Sequence, residues 1–362
     1  MPTYPIAEIN LAALKHNFLR VKDCAPNSKV MSVIKADAYG HGDVEVAKAL
    51  HKSDAFAVAR LSEGIQLREA GIDKPIVLLE GIHSKSQCEQ AARFELSPVF
   101  HHQQQIQWLS ESTSLSAPLS FCWLMVETGM HRLGFSPDKI NEAIIELKKS
   151  ENIDGDIGLM SHFANADSEG DERNQQQQAV MSELLAGHIG PISMANSAAI
   201  MTLPDSHQDW VRPGLMLYGA SPFEHKTAQS LDLKPVMQTK AQLISVDQLQ
   251  EGDQVGYGGD WQANKAMRVG TVNIGYGDGY NRLLSNRAYV SIHHQVVKVL
   301  GRVSMDMICI DLSAIEQAKI GDEVVLWGNG NVSVDQVAKQ AQTIAYELLC
   351  GLNQRVERQY HG

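Results

Sequence analysis

VMSVIKADAYGHGDVEVAKALHKSDAFAVAR (residues 30–60) carries the unit from which the fold is read. Two short β-rich runs, VMSVIKA (30–36) and AFAVAR (55–60), flank HGDVEVAKALHK, where apolar residues recur at helical spacing. The first run ends in a polar, glycine-bearing segment, with Lys35 directly after Val33 and Ile34. The same alternation continues to about residue 220. Its further strand candidates are PIVLLEG (75–81), LSPVF (96–100), SFCWLMVET (120–128), DIGLMSHFA (156–164), ISMANSA (192–198) and VRPGLMLYG (211–219). Helical patterns separate them, including LSEGIQLREAG, KSQCEQAARF and DKINEAIIELKKS. Eight strands alternating with helices suit an α/β fold of the (β/α)8 TIM-like barrel type. A doubly wound sheet alternates in the same way, so the count of eight is what favours the barrel.

After about residue 228 the pattern becomes mostly β: TKAQLISVDQL, MRVGTVNIGYG, YVSIHHQVVKVLG, MDMICIDLS and DEVVLWG, broken by turn signals such as EGD and IGDE. One helix over SVDQVAKQAQTIAYELLCG closes this half, with Gly351 as its C-cap. The run NQQQQ (174–178) reads as the solvated face of a helix.

A net charge of -11 over 362 residues argues against a nucleic-acid surface or a polybasic membrane patch. No apolar run approaches the roughly 20 residues that span a bilayer, and the first residues lack a signal-peptide pattern. Five scattered cysteines without metal-ligand spacing read as reduced packing residues, which places the chain in the cytoplasm. The doublets His101–His102 and His293–His294 make poor metal ligands, because neighbours on a strand point apart and helix ligands prefer i, i+4. No metal is expected.

Function in such a barrel gathers where the strands end. Those ends offer Lys35, Tyr39, Arg132, His162, Asn196, Ser197, Arg212, Gly214 and Tyr218. Lys35 supports three readings: a snorkelling surface lysine, an ion-pair partner, or a Schiff-base nucleophile of lowered pKa. If the electrophile were pyridoxal phosphate, its phosphate would need hydroxyls, N–H groups and close backbone approach. Tyr39, Ser197 and Gly214 are suitable groups, and Ser197 could cap a helix at the same time.

Nine segments resemble the successive signatures of bacterial alanine racemases, in family order: VIKADAYGHG (33–42), ETGMHRLGF (127–135), SHFANAD (161–167), ANSAAI (195–200), VRPGLMLYG (211–219), VGYGGDW (255–261), IGYGDGY (274–280), GRVSMDM (301–307) and TIAYELLC (343–350). The resemblance implies a fold-type III enzyme of pyridoxal 5'-phosphate, with a barrel at residues 8–228 and a β domain at 229–362 that includes residues 1–7. It also implies a homodimer with shared active sites, which interconverts L- and D-alanine and supplies D-alanine for peptidoglycan. By motif, Lys35 would bind the cofactor and act as one base, and Tyr257 of the partner subunit would be the other. Tyr39, Ser197, Gly214, Leu215 and Tyr346 would hold the phosphate, with Asn196 beside them. Arg212 would face the pyridine nitrogen, His162 would link it towards Tyr257, and Arg132 would contact the phenolic oxygen. Arg132 and Met305 would meet the substrate carboxylate. Asp167, Tyr276, Arg282, Arg302 and Asp306 match positions of the substrate corridor.

One position departs from the family pattern. Many members carry a lysine modified to a carbamate where this sequence has Met125, leaving Arg132 without that anionic partner. Glu127, or a bound anion such as chloride, could supply the charge; alternatively, Met125 simply packs. Rival readings are an amino-acid racemase acting on both alanine and serine, and a decarboxylase of the same fold. The decarboxylase would want an acidic residue at position 212.

Overall fold

The computed structural model describes residues 4–113, 115–185, 188–328 and 331–362. Eight parallel strands close into a barrel: Lys29–Val33, Ala55–Val58, Ile76–Leu78, Leu96–Phe100, Leu119–Met125, Ile153–Met160, Ile192–Ser193 and Trp210–Val211. The last strand pairs back onto the first through Lys29↔Trp210 and Val30↔Val211. Strands such as AFAV and IVL are buried on every residue, as a parallel sheet covered by helices on its outside requires.

The strands are shorter than the apolar runs that announce them. The eighth was expected through residue 219 but ends at Val211, and Leu215–Tyr218 form a 3-10 turn. Pro213 has no N–H for the ladder, and Gly214 adopts φ -120, ψ -95, outside the extended region. The seventh ends at Ser193, and the polar tail of that run enters a helix over Ser197–Thr202. The surplus residues of the runs become the loops at the barrel mouth.

The second domain is built on an eight-stranded sheet in the order Met267–Val272, Ile308–Asp311, Gln295–Leu300, Tyr289–Ile292, Glu323–Trp327, Met237–Leu249, Ile6–Asn10, Glu357–His361. The long strand Met237–Leu249 also pairs with Met267–Val272 beyond an irregularity at Leu243/Ser245, so the run of strands returns on itself. Both ends of the chain lie here: Ile6–Asn10 runs parallel to Glu357–His361 and antiparallel to Met237–Leu249. YVSIHHQVVKVLG, read as one run, is a hairpin of two strands turning at His293 and His294, both at positive φ. The single closing helix is two, Val334–Gln340 and Ala345–Gly351, broken where Gln342 takes φ 56. Gly351 is the last helical residue rather than the cap, which is Leu352.

NQQQQ is a solvated face only in part: Gln175 and Gln176 are exposed and Gln178 is half-buried. Asn174 and Gln177 are buried, at i, i+3 on the helix Glu172–Leu185, with Met181 continuing the same buried stripe. One apolar core runs without a break from the barrel into the second domain.

A buried asparagine ties the first helix to the barrel's exit. Helix Leu11–Cys24 starts at Asn10, whose side chain accepts from the Ala13 N–H at 2.9 Å. On its inner face Asn17 donates to Leu217 O (3.0 Å) and Lys234 O (2.8 Å) and accepts from Lys234 N (2.8 Å). Asn17→Ala leaves all three backbone groups without this partner and should destabilise the chain by about 3 kcal/mol. A denaturation midpoint equal to that of the parent would contradict this.

Candidate active site

The loops at the barrel mouth and the two short helices of the second domain enclose a cavity of about 1090 Å³. Lys35, Tyr39, Arg132, His162, Asp167, Asn196, Ser197, Arg212, Gly214, Leu215 and Tyr346 all line it, and so does Met125.

Lys35 stands two residues beyond the end of its strand, at the head of an unusual turn. Ala36, Asp37, Ala38 and Tyr39 follow with φ between 51 and 55 and ψ between 40 and 53, so the chain makes a left-handed helical turn. Each such residue costs roughly 1–2 kcal/mol, so neighbours must hold the turn in place. Glu63 Oε1 accepts from Ala36 N at 2.7 Å, and Ala38 N donates to Ile34 O at 3.0 Å. The His41 ring holds the carbonyls of Ala38 and Tyr39 through Nδ1 at 3.0 and 2.9 Å. Arg358, from the C-terminal strand, donates to Gly40 O at 3.1 Å. Gly40, at φ 79, lies so close to Leu349 O that a Cβ would collide with it. Burial lowers the Lys35 pKa, and the Arg132 guanidinium lowers it further.

Tyr39 stacks on Tyr218 at 4.7 Å between ring centroids and tilts against Tyr346 at 5.8 Å. Burial pushes both cavity phenols up, Tyr346 to about 12, so each remains a neutral donor. Ser197 Oγ accepts from Gly214 N (2.9 Å) and Met216 N (3.3 Å), fixing the loop after the last strand. A Cβ on Gly214 would come within 2.6 Å of the Tyr39 hydroxyl oxygen. Ser197 does not cap its helix as expected. Asn196 does, accepting from Ala199 N at 3.1 Å, and Ser197 keeps its hydroxyl for the cavity.

Arg212 is buried and held entirely by uncharged groups. It donates to Ser193 Oγ (2.7 Å), Ser161 O, Met194 O (3.4 Å) and His162 Nδ1 (3.2 Å). Burial, then Arg212, Arg132 and Lys35, push His162 down to about 3, so its ring is neutral. Arg212 can only donate, so Nδ1 is the accepting nitrogen and the proton sits on Nε2. Gln177 braces this corner by donating to His162 O (2.9 Å) and Thr128 Oγ1 (3.0 Å) and accepting from Ala164 N (3.0 Å).

Arg132 stands on the rim, and among the described residues no carboxylate lies within ion-pair distance of its guanidinium. Glu127 does not supply that charge. Its carboxylate turns back to accept from the backbone of Gly129 and Arg132 (3.3 Å), and these backbone hydrogen bonds outweigh its burial and lower its pKa.

Tyr257, Tyr276, Arg282, Arg302, Met305 and Asp306 do not line the cavity. They gather on a separate face of the second domain. Arg302 bonds Asp260, next to the Tyr257–Gly259 turn, at 2.9 Å through Nη2. Tyr276 N donates to Ser304 O (3.0 Å) and Gly277 N to Met305 O (2.8 Å). Arg355 ties Asp306 (2.6 Å) to the buried Asp278 (3.0 Å). Arg282 opens a 3-10 turn whose Ser285 Oγ accepts from Val303 N at 3.0 Å. Tyr257 is 69% exposed and Met305 54%.

Sequence reasoning missed Glu63, His41 and Gln177. A polar pair at buried helical positions, continued by Met181, was the available sign for Gln177. For Glu63 the local sign was its place as the third residue of a helix, but its bond to Ala36 N, like those of His41 to Ala38 O and Tyr39 O, depends on the strained turn.

Residues 9–222 match the family profile described as "Alanine racemase, N-terminal domain", and residues 236–360 match "Alanine racemase, C-terminal domain". The chain is 46% identical over 355 residues to the alanine racemase of Nitrosococcus oceani, covering 98% of this chain and 99% of that protein. It is 44% identical to that of Aeromonas hydrophila at the same coverage. Among solved structures, the biosynthetic alanine racemase from Pseudomonas aeruginosa superposes with a TM-score of 0.95 at 40% identity, covering 99% of this chain and all of that one. That of Acinetobacter baumannii gives 0.91 at 42%, with the same coverage.

The buried imidazole under the turn makes stability depend on pH. Burial depresses the folded pKa of His41 to about 4 from 6.5. The unfolded chain therefore binds the proton more readily. Its contribution is complete above pH 6.5 and is lost as pH falls towards 4, on the order of 3 kcal/mol. His41→Asn, which can still donate to the same carbonyls, should flatten this part of the stability profile. An unchanged slope in chemical denaturation between those pH values would refute it.

Proposed function

The chain belongs to the alanine racemase family, and we propose that it interconverts L- and D-alanine with pyridoxal 5'-phosphate held in the cavity headed by Lys35. The enzyme is an isomerase. The donor set fits the cofactor: neutral hydroxyls of Tyr39, Ser197 and Tyr346 suit a phosphate, and Gly214 leaves room where a Cβ would close the gap. In this reading the Leu215 backbone assists, Asn196 shapes the loop, and Arg212 faces the pyridine nitrogen. When bound, the cofactor draws off the electron pair left as the substrate's Cα–H bond breaks.

Racemisation needs a proton removed on one face of the substrate carbon and returned on the other. Lys35, its pKa lowered by burial and by Arg132, supplies an amine on one face. Tyr257 of the partner subunit supplies the opposite face. Tyr257 and the five residues gathered with it would form the half-site that a homodimer lays over the other chain's cavity, with Met305 and Arg132 taking the substrate carboxylate. Arg302, Tyr276, Arg282, Asp306 and Asp167 would then line the way in. His162, neutral and with its proton on Nε2, would link Arg212 towards that tyrosine.

The observation that carries this reading is Arg212, buried among uncharged acceptors and hydrogen-bonded to a neutral histidine. A group that only donates leaves a facing ring nitrogen unprotonated, which favours prompt return of the proton to carbon. The decarboxylase alternative wants a carboxylate here, and Arg212 makes no bond to one among the described residues. Alanine and serine differ by one hydroxyl, so a broader racemase remains the closest rival. We further propose a cytoplasmic role supplying D-alanine to peptidoglycan.

Lys35→Ala should abolish both racemisation and covalent retention of the cofactor. Tyr257→Phe should retain the cofactor but slow proton transfer on one face more than the other. Mixing the two weak variants tests the shared site. Random exchange makes half the dimers mixed, each with one intact site of two, so about a quarter of parental activity should return. If activity stays at the level of the two separate variants despite verified subunit exchange, the shared-site reading fails.

A further inference from the structure

We propose that Glu63 is a positioning residue for Lys35, its carboxylate joining the start of the left-handed turn to the end of the neighbouring barrel strand. Glu63 is the third residue of helix Leu61–Glu69, where a glutamate ordinarily reaches back to cap its own helix. One oxygen suffices for that. Oε2 accepts from Ala59 N at 2.7 Å and Arg60 N at 2.9 Å. Oε1 does something the helix does not require and accepts from Ala36 N at 2.7 Å. Ala36 directly follows Lys35 and is the first residue of the strained turn. The bond pins the peptide that leaves Lys35, and so constrains the direction in which its side chain departs.

Against burial and the Arg132 guanidinium, the charge of the same carboxylate favours the protonated form of Lys35, as do Glu80 and Cys350. His162, in the same cavity, is neutral, and so are the phenols of Tyr39 and Tyr346. Glu63 thus constrains the geometry of the amine and limits how far burial and Arg132 lower its pKa. This inference rests on Lys35 being the reactive group.

Glu63→Gln separates the two uses. Its single amide oxygen can keep the cap to Ala59 and Arg60, while its NH2 would face the Ala36 N–H and cannot accept from it. Arg68→Ala serves as a structural control. Arg68 holds the far end of the same helix through Phe94 O, Ile72 O, Lys74 O and Glu95 O and makes no contact with the turn. The readouts are kcat and KM of the loaded enzyme, thermal midpoint, and the pH midpoint of Lys35 acetylation in the full chain stripped of cofactor, followed by mass spectrometry.

Glu63→Gln should lower kcat by about tenfold with KM within about twofold, since a misdirected base harms the chemical step more than binding. It should also move the acetylation midpoint to lower pH, and Arg68→Ala should not. The proposal is overturned if the Glu63→Gln midpoint stays at the parental value, if kcat is unchanged, or if Arg68→Ala reproduces both effects. Racemisation surviving in Lys35→Ala would instead overturn the reading of Lys35, a result independent of the acetylation midpoint.

Discussion

Four consecutive non-glycine residues in left-handed conformation, Ala36 to Tyr39, are the constraint on which the site depends. The strain amounts to several kcal/mol at roughly 1–2 per residue, and a turn this unfavourable persists only where its surroundings over-determine it. Those surroundings come from three places in the chain. Glu63 binds its first N–H, His41 its last carbonyls, and Arg358 the carbonyl of Gly40. Arg358 belongs to the final strand, which pairs with Ile6–Asn10, the strand that leads into the helix carrying Asn17. The second domain therefore takes part in shaping the loop that presents Lys35, rather than merely abutting the barrel.

The electrostatics of the cavity follow from what the turn brings together. Lys35, Arg132 and Arg212 lie around one histidine, with Glu80, Glu127 and Asp167 towards the rim. Three cations and burial keep His162 neutral, and a neutral ring can accept from Arg212 on one nitrogen while donating from the other. The cations also depress Lys35, yet Glu63 and Glu80 limit how far. Met125 adds nothing to this balance. Glu127 is committed to its own loop, and among the described residues no carboxylate pairs with the Arg132 guanidinium.

How much of this could be read from the sequence depends on the range of the interaction concerned. The barrel strands were legible because a parallel sheet buried on both faces must be written in unbroken apolar runs such as AFAV and IVL. Their ends were not, because apolar residues continue past the last ladder bond into loops, as at Leu215–Tyr218. The cavity residues of the barrel were legible as polar groups at those ends. The left-handed turn was invisible, since Ala-Asp-Ala-Tyr is an ordinary composition and its dihedrals are held by the distant Glu63 and Arg358 together with the adjacent His41. Asn174 and Gln177 were misread for the related reason that glutamine is normally solvated, and their burial depends on backbone groups of another loop. The same limit applies to Asn196 and Ser197, where adjacent residues each suit a cap and only the folded loop decides between them.

The division of polar groups between two faces of one chain has a mechanistic consequence. An amine and a phenol that both served from one cavity wall would act on the same side of a planar reactant and could only exchange its proton. Lys35 lies within the barrel mouth, whereas Tyr257 stands exposed on the second domain, outside that cavity. Their separation within one chain would, on the proposed reading, let a second copy bring the phenol to the face that Lys35 does not reach. On the proposed reading, inversion of configuration thus requires association, and the cavity of an isolated chain would hold its ligand while lacking the group that completes the exchange. The bonds that hold the Tyr257 turn to Arg302, and Asp306 to Arg355 and Asp278, keep that second face in shape before any partner arrives. Association would then dock two preformed half-sites, which limits the ordering entropy the contact must offset.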